Sequence, residues 1–316
     1  MMISTTTYVR ILTATIILLA LMFANMVNAQ DDLYQIDELA QTPYRNGFVN
    51  SYFFQNTIGH DSEYLFVYID GSGAGSALGR KSFFRWRSVT FGYYFYKYIT
   101  LKYDFFIPEK PDTKPGKVHR KNEWNIDHRI SGYATAINSF LDARTYENII
   151  LIGFSEGGAF LPELYFRLNK KEAVKGMILI SSGVLSLYEC FFIQRNNFSL
   201  PHSSEVSLKK IESLLHKSNR SKKEEEWLNY YTYNSTRYIN DIDIPILLLH
   251  GEKDTNCPVE SSRYIVNEFH HSGKQNLSYI EYKDMDHGFN GKIDVCFEDI
   301  RKWFVKNMYH ETTMTL

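Results

Sequence analysis

Ser155 stands in the hexapeptide Gly153-Phe154-Ser155-Glu156-Gly157-Gly158. A short β-type run, Ile149 to Ile152, precedes it, and an apolar helical pattern, Ala159 to Leu168, follows. That is the setting of a nucleophile elbow. The chain turns so sharply from strand to helix that a Cβ on either side of the serine would clash, which leaves the serine Oγ projecting from the turn. A Gly-rich turn without chemistry has the same glycines, so a nucleophile here needs partners elsewhere in the chain. A serine hydroxyl is a poor nucleophile at neutral pH. It requires a base within hydrogen-bond reach and an acid that fixes the tautomer of that base.

Two later segments supply them. Ile244-Pro245-Ile246-Leu247-Leu248-Leu249 is a nearly continuous apolar run of buried-strand type, and His250-Gly251-Glu252-Lys253-Asp254 follows it directly. Leu277 to Tyr282 is the next strand candidate, with Asp284-Met285-Asp286-His287-Gly288-Phe289 after it. Asp254 is the expected acid and His287 the expected base. Rivals exist for both roles. His250, at a strand end, either acts as a base or packs the loop beneath the acid. Asp284 and Asp286 lie beside His287 in sequence, although the acid normally enters from a different strand. Glu156 tunes the charge at the nucleophile or, more simply, faces solvent.

Gly-Phe-Ser155-Glu-Gly-Gly, His-Gly-Glu-Lys-Asp254 and Asp-His287-Gly-Phe together make the chain resemble the α/β-hydrolase superfamily over nearly all its mature length. Within it they look like the branch containing prolyl-oligopeptidase-like, serine-aminopeptidase-like and dienelactone-hydrolase-like enzymes. The resemblance implies an α/β fold with a mostly parallel central sheet flanked by helices, and a hydrolase that acts through an acyl-enzyme. It implies no substrate, because the fold hosts many chemistries. Acyl transfer also needs donors for the developing oxyanion: the amide after the nucleophile, here Glu156, and one from the loop after the third strand. Leu65 to Ile69 is that strand, and Ser72 or Gly73 is the donor expected from the loop beyond it. The family often opens this loop with His-Gly, where this chain has Asp70-Gly71. A dinucleotide loop fails in register, since Gly71, Gly73 and Gly75 are followed by Ser76 and Leu78 where a third glycine or alanine is needed. No cofactor and no metal are expected: the ten histidines form neither HExxH nor any Cys/His ligand spacing.

The elements that must position these residues alternate in type. Phe48, Tyr52 and Phe54 suggest early strands. Ser82 to Phe106, crowded with Tyr and Phe, suggests a helix and then a strand from Ile99 to Ile107, its rings serving as core. Ile130, Tyr133, Ala134, Ile137, Phe140 and Leu141 share one helical face, and Lys175 to Ile180 is a further strand. Such alternation predicts a mostly parallel sheet. About sixty residues then precede the next strand, far beyond the roughly 10 to 12 of a minimal crossover, so residues 184–240 are expected to form a small helical cap. Its expected helices are Lys209 to His216 and Lys222 to Tyr231. Phe191, Phe192, Ile193, Trp227, Tyr230 and Tyr231 either roof the site or only pack the cap onto the sheet. Lys222 to Glu226 reads as an exposed helix face with i,i+4 contacts, and Lys110 to Lys121 as a solvated loop.

With 316 residues and 44% hydrophobic content the chain can bury one substantial core, so a single catalytic domain, residues 30–316, is expected. A formal charge of -1 provides no field that would gather nucleic acid. Arg10, the apolar run Ile11 to Met26 and the small residues of Val27-Asn28-Ala29 predict a cleaved signal, residues 1–29, and export rather than a permanent membrane anchor. In an oxidising compartment a Cys257 to Cys296 bridge would join the loops of Asp254 and His287; the sequence leaves that pairing and free thiols open, with Cys190 buried or free. Asn197, Asn219, Asn234 and Asn276 each head a glycosylation triplet. The expected activity is hydrolysis of a small-molecule acyl substrate, an ester or thioester ahead of a peptide. An exopeptidase of the same fold is the rival, and a hydrolase-fold binding protein the third reading.

Overall fold

The computed structural model describes residues 38–57, 62–72, 77, 91–113, 125–197 and 202–308. The expected signal, residues 1–29, Gly73 and the run from Lys114 to Lys121 lie outside them.

Eight strands form one sheet: β1 (Glu38–Tyr44), β2 (Gly47–Phe54), β3 (Leu65–Ile69), β4 (Asp104–Pro108), β5 (Ile149–Phe154), β6 (Val174–Ile180), β7 (Ile246–Gly251) and β8 (Leu277–Tyr282). Their spatial order is β1-β2-β4-β3-β5-β6-β7-β8. The β1–β2 hairpin and the β2–β4 pair are antiparallel, and every pair from β4 to β8 is parallel. The composition explains this layering. Central strands β3, β5 and β7 are apolar at nearly every position because helices cover both faces, and almost all their residues are buried. β1, at one edge, alternates between exposed and covered positions.

Helix α1 (Phe91–Ile99) precedes β4, α2 (Ile126–Ala143) precedes β5, and α3 (Glu156–Arg167) follows it. The predicted stripe on α2 is the buried one, packing Ile130, Tyr133, Ala134, Ile137, Phe140 and Leu141 into the main core. Two expectations near β4 need correction. Ile99 closes α1 rather than opening a strand, because the next residues turn: the Tyr103 amide donates to the Ile99 carbonyl at 2.9 Å and the Thr100 hydroxyl to the Tyr96 carbonyl at 2.6 Å. Lys110 is not solvated. Its side chain is 7% exposed, with Nζ 3.5 Å from the Asp70 carboxylate, so it faces the loop after β3.

Between β6 and β7 lie α4 (Leu187–Asn197), α5 (His202–Leu215), α6 (Lys222–Thr232) and the short α7 (Thr236–Ile239). Phe191, Leu208, Ile211, Leu214 and Leu228 give this segment a small core of its own. Ser221 and Glu224 form a capping box that starts α6, and Glu224 also pairs with Lys217. Within the predicted charge run, Lys222 and Glu226 are an i,i+4 pair at 4.0 Å. Helices α8 (Glu260–His271) and α9 (Ile293–Met308) follow β7 and β8.

Backbone meets backbone most tightly where α3 starts across β3. A Cβ on Gly157 would lie 2.2 Å from the Ile69 carbonyl oxygen and 2.7 Å from that of Asp70. Both obstacles are backbone, so neither can swing aside. Gly157→Ala is expected to destabilise the protein by about 1–3 kcal/mol, measured as a lower denaturant midpoint. An unchanged midpoint would contradict so close a crossing.

Candidate active site

β5 lies between β3 and β6, and its last residue leads straight into Ser155. Ser155 has φ 53° and ψ −122°, a conformation that side-chain-bearing residues avoid at a cost of about 1–3 kcal/mol. The surroundings enforce it. The Ser155 amide donates to the Ile180 carbonyl at the end of β6 at 2.8 Å, and a Cβ on Gly153 would lie 2.5 Å from Gly158 Cα. The serine thus sits at the head of α3, whose opening amides lack carbonyl partners within the helix. Glu156 contributes the first of them.

Asp254 follows β7 by three residues, because that strand starts at Ile246 rather than Ile244 and runs on through His250 to Gly251. Its carboxyl is wholly enclosed, with 0% side-chain exposure. Oδ1 accepts from the amides of Asn256 at 2.8 Å and Cys257 at 2.9 Å. Oδ2 lies 2.7 Å from His287 Nδ1 and 3.0 Å from His250 Nε2. Burial alone would raise the acid, but the hydrogen bonds from His250 and His287 and the two rings' proximity bring it down to about 2. A carboxylate only accepts, so Nδ1 of His287 carries its hydrogen and Nε2 is left as the basic nitrogen. His250 Nε2 faces two acceptors, Asp254 Oδ2 and the Cys257 carbonyl at 2.8 Å, so its hydrogen resides there; Nδ1 meets the Ser262 hydroxyl at 2.6 Å. His250 therefore packs beneath the acid.

The rivals Asp284 and Asp286 are engaged elsewhere. Asp284 pairs with Lys253 at the surface at 2.5 Å, and Asp286 Oδ1 accepts from the amides of Gly288 at 2.9 Å and Asn290 at 2.8 Å. That turn presents His287, whose ring packs against Phe154 with centroids 5.1 Å apart. The Ser181 hydroxyl ties the His287 carbonyl down at 2.8 Å, while the Ser181 amide bonds the Leu249 carbonyl at 2.8 Å.

Ser155 and His287 line one cavity of about 580 Å³, together with Ser72 and Glu156. Gly73, the other oxyanion candidate, lies outside the described residues. Of the aromatic residues between β6 and β7, Phe191, Tyr230, Tyr231 and Tyr233 line the cavity, whereas Phe192 is exposed and Trp227 packs on Tyr231. Leu185, Leu187 and Phe160 extend the apolar wall.

Two readings fail here for a tertiary reason. Glu156 does not face solvent. Arg129 pairs with it: Nη1 donates to Oε1 at 2.8 Å, and Nη2 lies 2.7 Å from Oε2 as an ion-pair contact without hydrogen-bond alignment. Burial opposes the charge of Arg129, yet the adjacent carboxylate raises its pKa above the usual value and keeps the guanidinium ionised. The Tyr230 hydroxyl, raised by burial and then by Glu156, donates to the same carboxylate. Arg129 is not among the expected site residues, although its spacing of four residues to Tyr133 and eight to Ile137 puts it on the buried stripe of α2. The cysteines also differ. All three are free, and Cys257 faces Cys190 instead of Cys296. Cys257 is lodged against Gly183, where a Cβ would lie 3.3 Å from its Sγ, while Cys296 on α9 bonds the Tyr282 hydroxyl and is pushed up by burial to about 12.

Comparison with known proteins bears on the fold. Residues 199–311, which hold Asp254 and His287 but not Ser155, match the prolyl oligopeptidase family model. Acylaminoacyl peptidase of Pyrococcus horikoshii is similar in structure at a TM-score of 0.60 and 12% identity; the match covers 87% of this chain but only 42% of the peptidase. An esterase of Pyrococcus furiosus matches at 0.62 and 13% identity, covering 88% of this chain and 94% of the esterase. A soluble variant of monoglyceride lipase from Saccharomyces cerevisiae, solved with a substrate analogue, matches at 0.62 and 13%, covering 88% and 97%. A search of curated proteins returns no match. The chain has the α/β-hydrolase fold and resembles the prolyl-oligopeptidase-like branch of that superfamily.

Two outcomes are expected. A carboxyl at about 2 in the folded state, against an ordinary aspartate value of 3.8, contributes stability that is complete above 3.8 and is lost as pH falls through about 2. The stability of Ser155→Ala protein should therefore fall between about pH 4 and 2, a step of about 2 kcal/mol that Asp254→Asn removes. Equilibrium unfolding across that range measures it. Glutathione disulfide, if it cross-links the protein, should join Cys257 to Cys190; peptide mapping that instead finds Cys257 bonded to Cys296 would contradict the packing.

Proposed function

We propose that the chain is an exported serine hydrolase that cleaves a carboxylic ester or thioester through Ser155, His287 and Asp254. The observation that carries the reading is the 2.7 Å contact between His287 Nδ1 and the enclosed Asp254 carboxylate, beside a cavity that Ser155 also lines. His287 Nε2 removes the hydroxyl proton as Ser155 Oγ attacks the acyl carbonyl. The oxyanion forms against the Glu156 amide and a second amide at Ser72 or Gly73. The imidazolium, stabilised by Asp254, then gives its proton to the leaving oxygen or sulfur, and the acyl group remains on Ser155. Water, deprotonated by the same Nε2, attacks the acyl-enzyme and releases the acid. Export rests on the apolar segment before Val27-Asn28-Ala29 and its small-residue end.

The match of residues 199–311 to the prolyl oligopeptidase family favours a second reading, an exopeptidase with the same residues in the same roles. An ester makes the smaller demand on protonation of the leaving group. Parallel assay of acyl esters, aminoacyl amides and short peptides separates the two.

Ser155→Ala, His287→Ala and Asp254→Asn are each expected to remove most turnover while the fold persists, Asp254→Asn by about 10⁴-fold through the wrong His287 tautomer. A mild Asp254→Asn together with a damaging Asp284→Asn or Asp286→Asn would move the acid. An organophosphonate ester should label the protein once, on Ser155. Folded protein that takes up no label would point to a binding protein.

A further inference from the structure

If Ser155 is acylated as proposed, the walls around it decide which acyl groups can enter. Among the described residues lining the cavity, Arg129 and Glu156 are the only Arg, Lys, Asp or Glu. Their side chains are 5% and 8% exposed, and each is the other's partner at 2.7 Å. The pair is fixed on several sides. The Arg129 guanidinium lies 5.7 Å over the Phe160 ring, Tyr133 bonds to it from one turn along α2, and Tyr230 reaches Glu156 from α6. Glu156 immediately follows the nucleophile and lines the same cavity as Ser155. Left alone, it would attract a cationic substrate group and oppose the oxyanion at its own amide. Arg129 cancels both effects.

We infer that the cavity selects acyl groups without charge, and that Arg129 sets this selectivity by neutralising Glu156 beside the nucleophile. An ammonium group entering here must leave water to meet a carboxylate already paired, and a carboxylate must do so to meet a guanidinium already paired. Neither recovers its desolvation. An apolar chain loses nothing of the kind and packs against Leu185, Leu187 and Phe191.

Three para-nitrophenyl esters of similar shape test this: dimethylhexanoate with a terminal tert-butyl group, trimethylammoniobutyrate as its cationic isostere, and hemiglutarate as the anion. Rates are normalised to sites titrated with the phosphonate, so unfolded protein does not count. The wild-type kcat/KM should favour the neutral ester by on the order of tenfold or more over both ions, from charge interactions at partly buried distances. Arg129→Met should shift the cation-to-neutral ratio upward by about tenfold, and Glu156→Gln should shift the anion-to-neutral ratio upward by a similar factor. The double variant should return to neutral preference, a rescue that a purely structural role would not produce. If Arg129→Met does not fold, Arg129→Lys, which keeps the charge, should hold the wild-type ratios while Glu156→Gln still moves toward the anion. The inference is overturned if wild-type protein takes the cationic ester as well as the neutral one, or if the single variants leave the ratios unchanged. A phosphonate that fails to label Ser155 would instead overturn the hydrolase reading on which it rests.

Discussion

Everything around the candidate site converges on one carboxylate with no access to water. A charge so enclosed costs several kcal/mol unless it is fully bonded, and Asp254 meets the requirement with two amides and two imidazoles. Those four donors come from three places: the end of β7, the loop immediately after it and the turn beyond β8. The carboxylate therefore dictates how two neighbouring strand ends and their loops lie against each other. His250, whose hydrogen is shared between Asp254 and the Cys257 carbonyl, closes that loop from below. Of the four donor residues, Asn256, Cys257 and His287 also line the cavity, and 19% of the His287 side chain is exposed.

Much of this is legible in the sequence because it depends on neighbours along the chain. Continuous apolar runs mark strands covered on both faces, and Gly153 and Gly157 mark a turn in which backbone approaches backbone. What escapes depends on residues far apart in sequence. Nothing near Lys110 announces that Asp70 will face it, and nothing near Glu156 announces Arg129. Cys257 and Cys296 are natural partners along the chain because each is near a site residue. α9 turns Cys296 toward Tyr282 instead, and α4 brings Cys190 to Cys257. The end of α1 is hidden for a different reason. Ile99 to Ile107 is rich in aromatic and β-branched residues, and only the hydrogen bonds of Thr100 and Tyr103 decide where the helix stops.

The segment between β6 and β7 touches the rest of the molecule through polar and apolar contacts alike, the latter including Val184 and Ile239 in the main core and Tyr233 against Phe160. Tyr230 meets Glu156, the Tyr233 hydroxyl donates to Glu163 at 3.0 Å, and Gln194 reaches the Thr255 carbonyl at 3.3 Å. Its apolar residues are divided among a small core of its own, the cavity wall and the main core. Buried ion pairs such as Arg129 with Glu156 add little net stability compared with apolar packing of the same volume. Their place in the wall is better explained by what they do to a substrate than by what they do for folding.

Ser181 makes the spacing of nucleophile and base independent of the roof above them. From the Ser155 amide the route to His287 runs through the Ile180 carbonyl, one peptide unit and the Ser181 hydroxyl, and none of these links involves residues 184–240. Ser155 and His287 are thus gauged from a single strand end, the way two tools are set from one fence. Residues 184–240 can therefore be lengthened, shortened or rebuilt without breaking any link of this route.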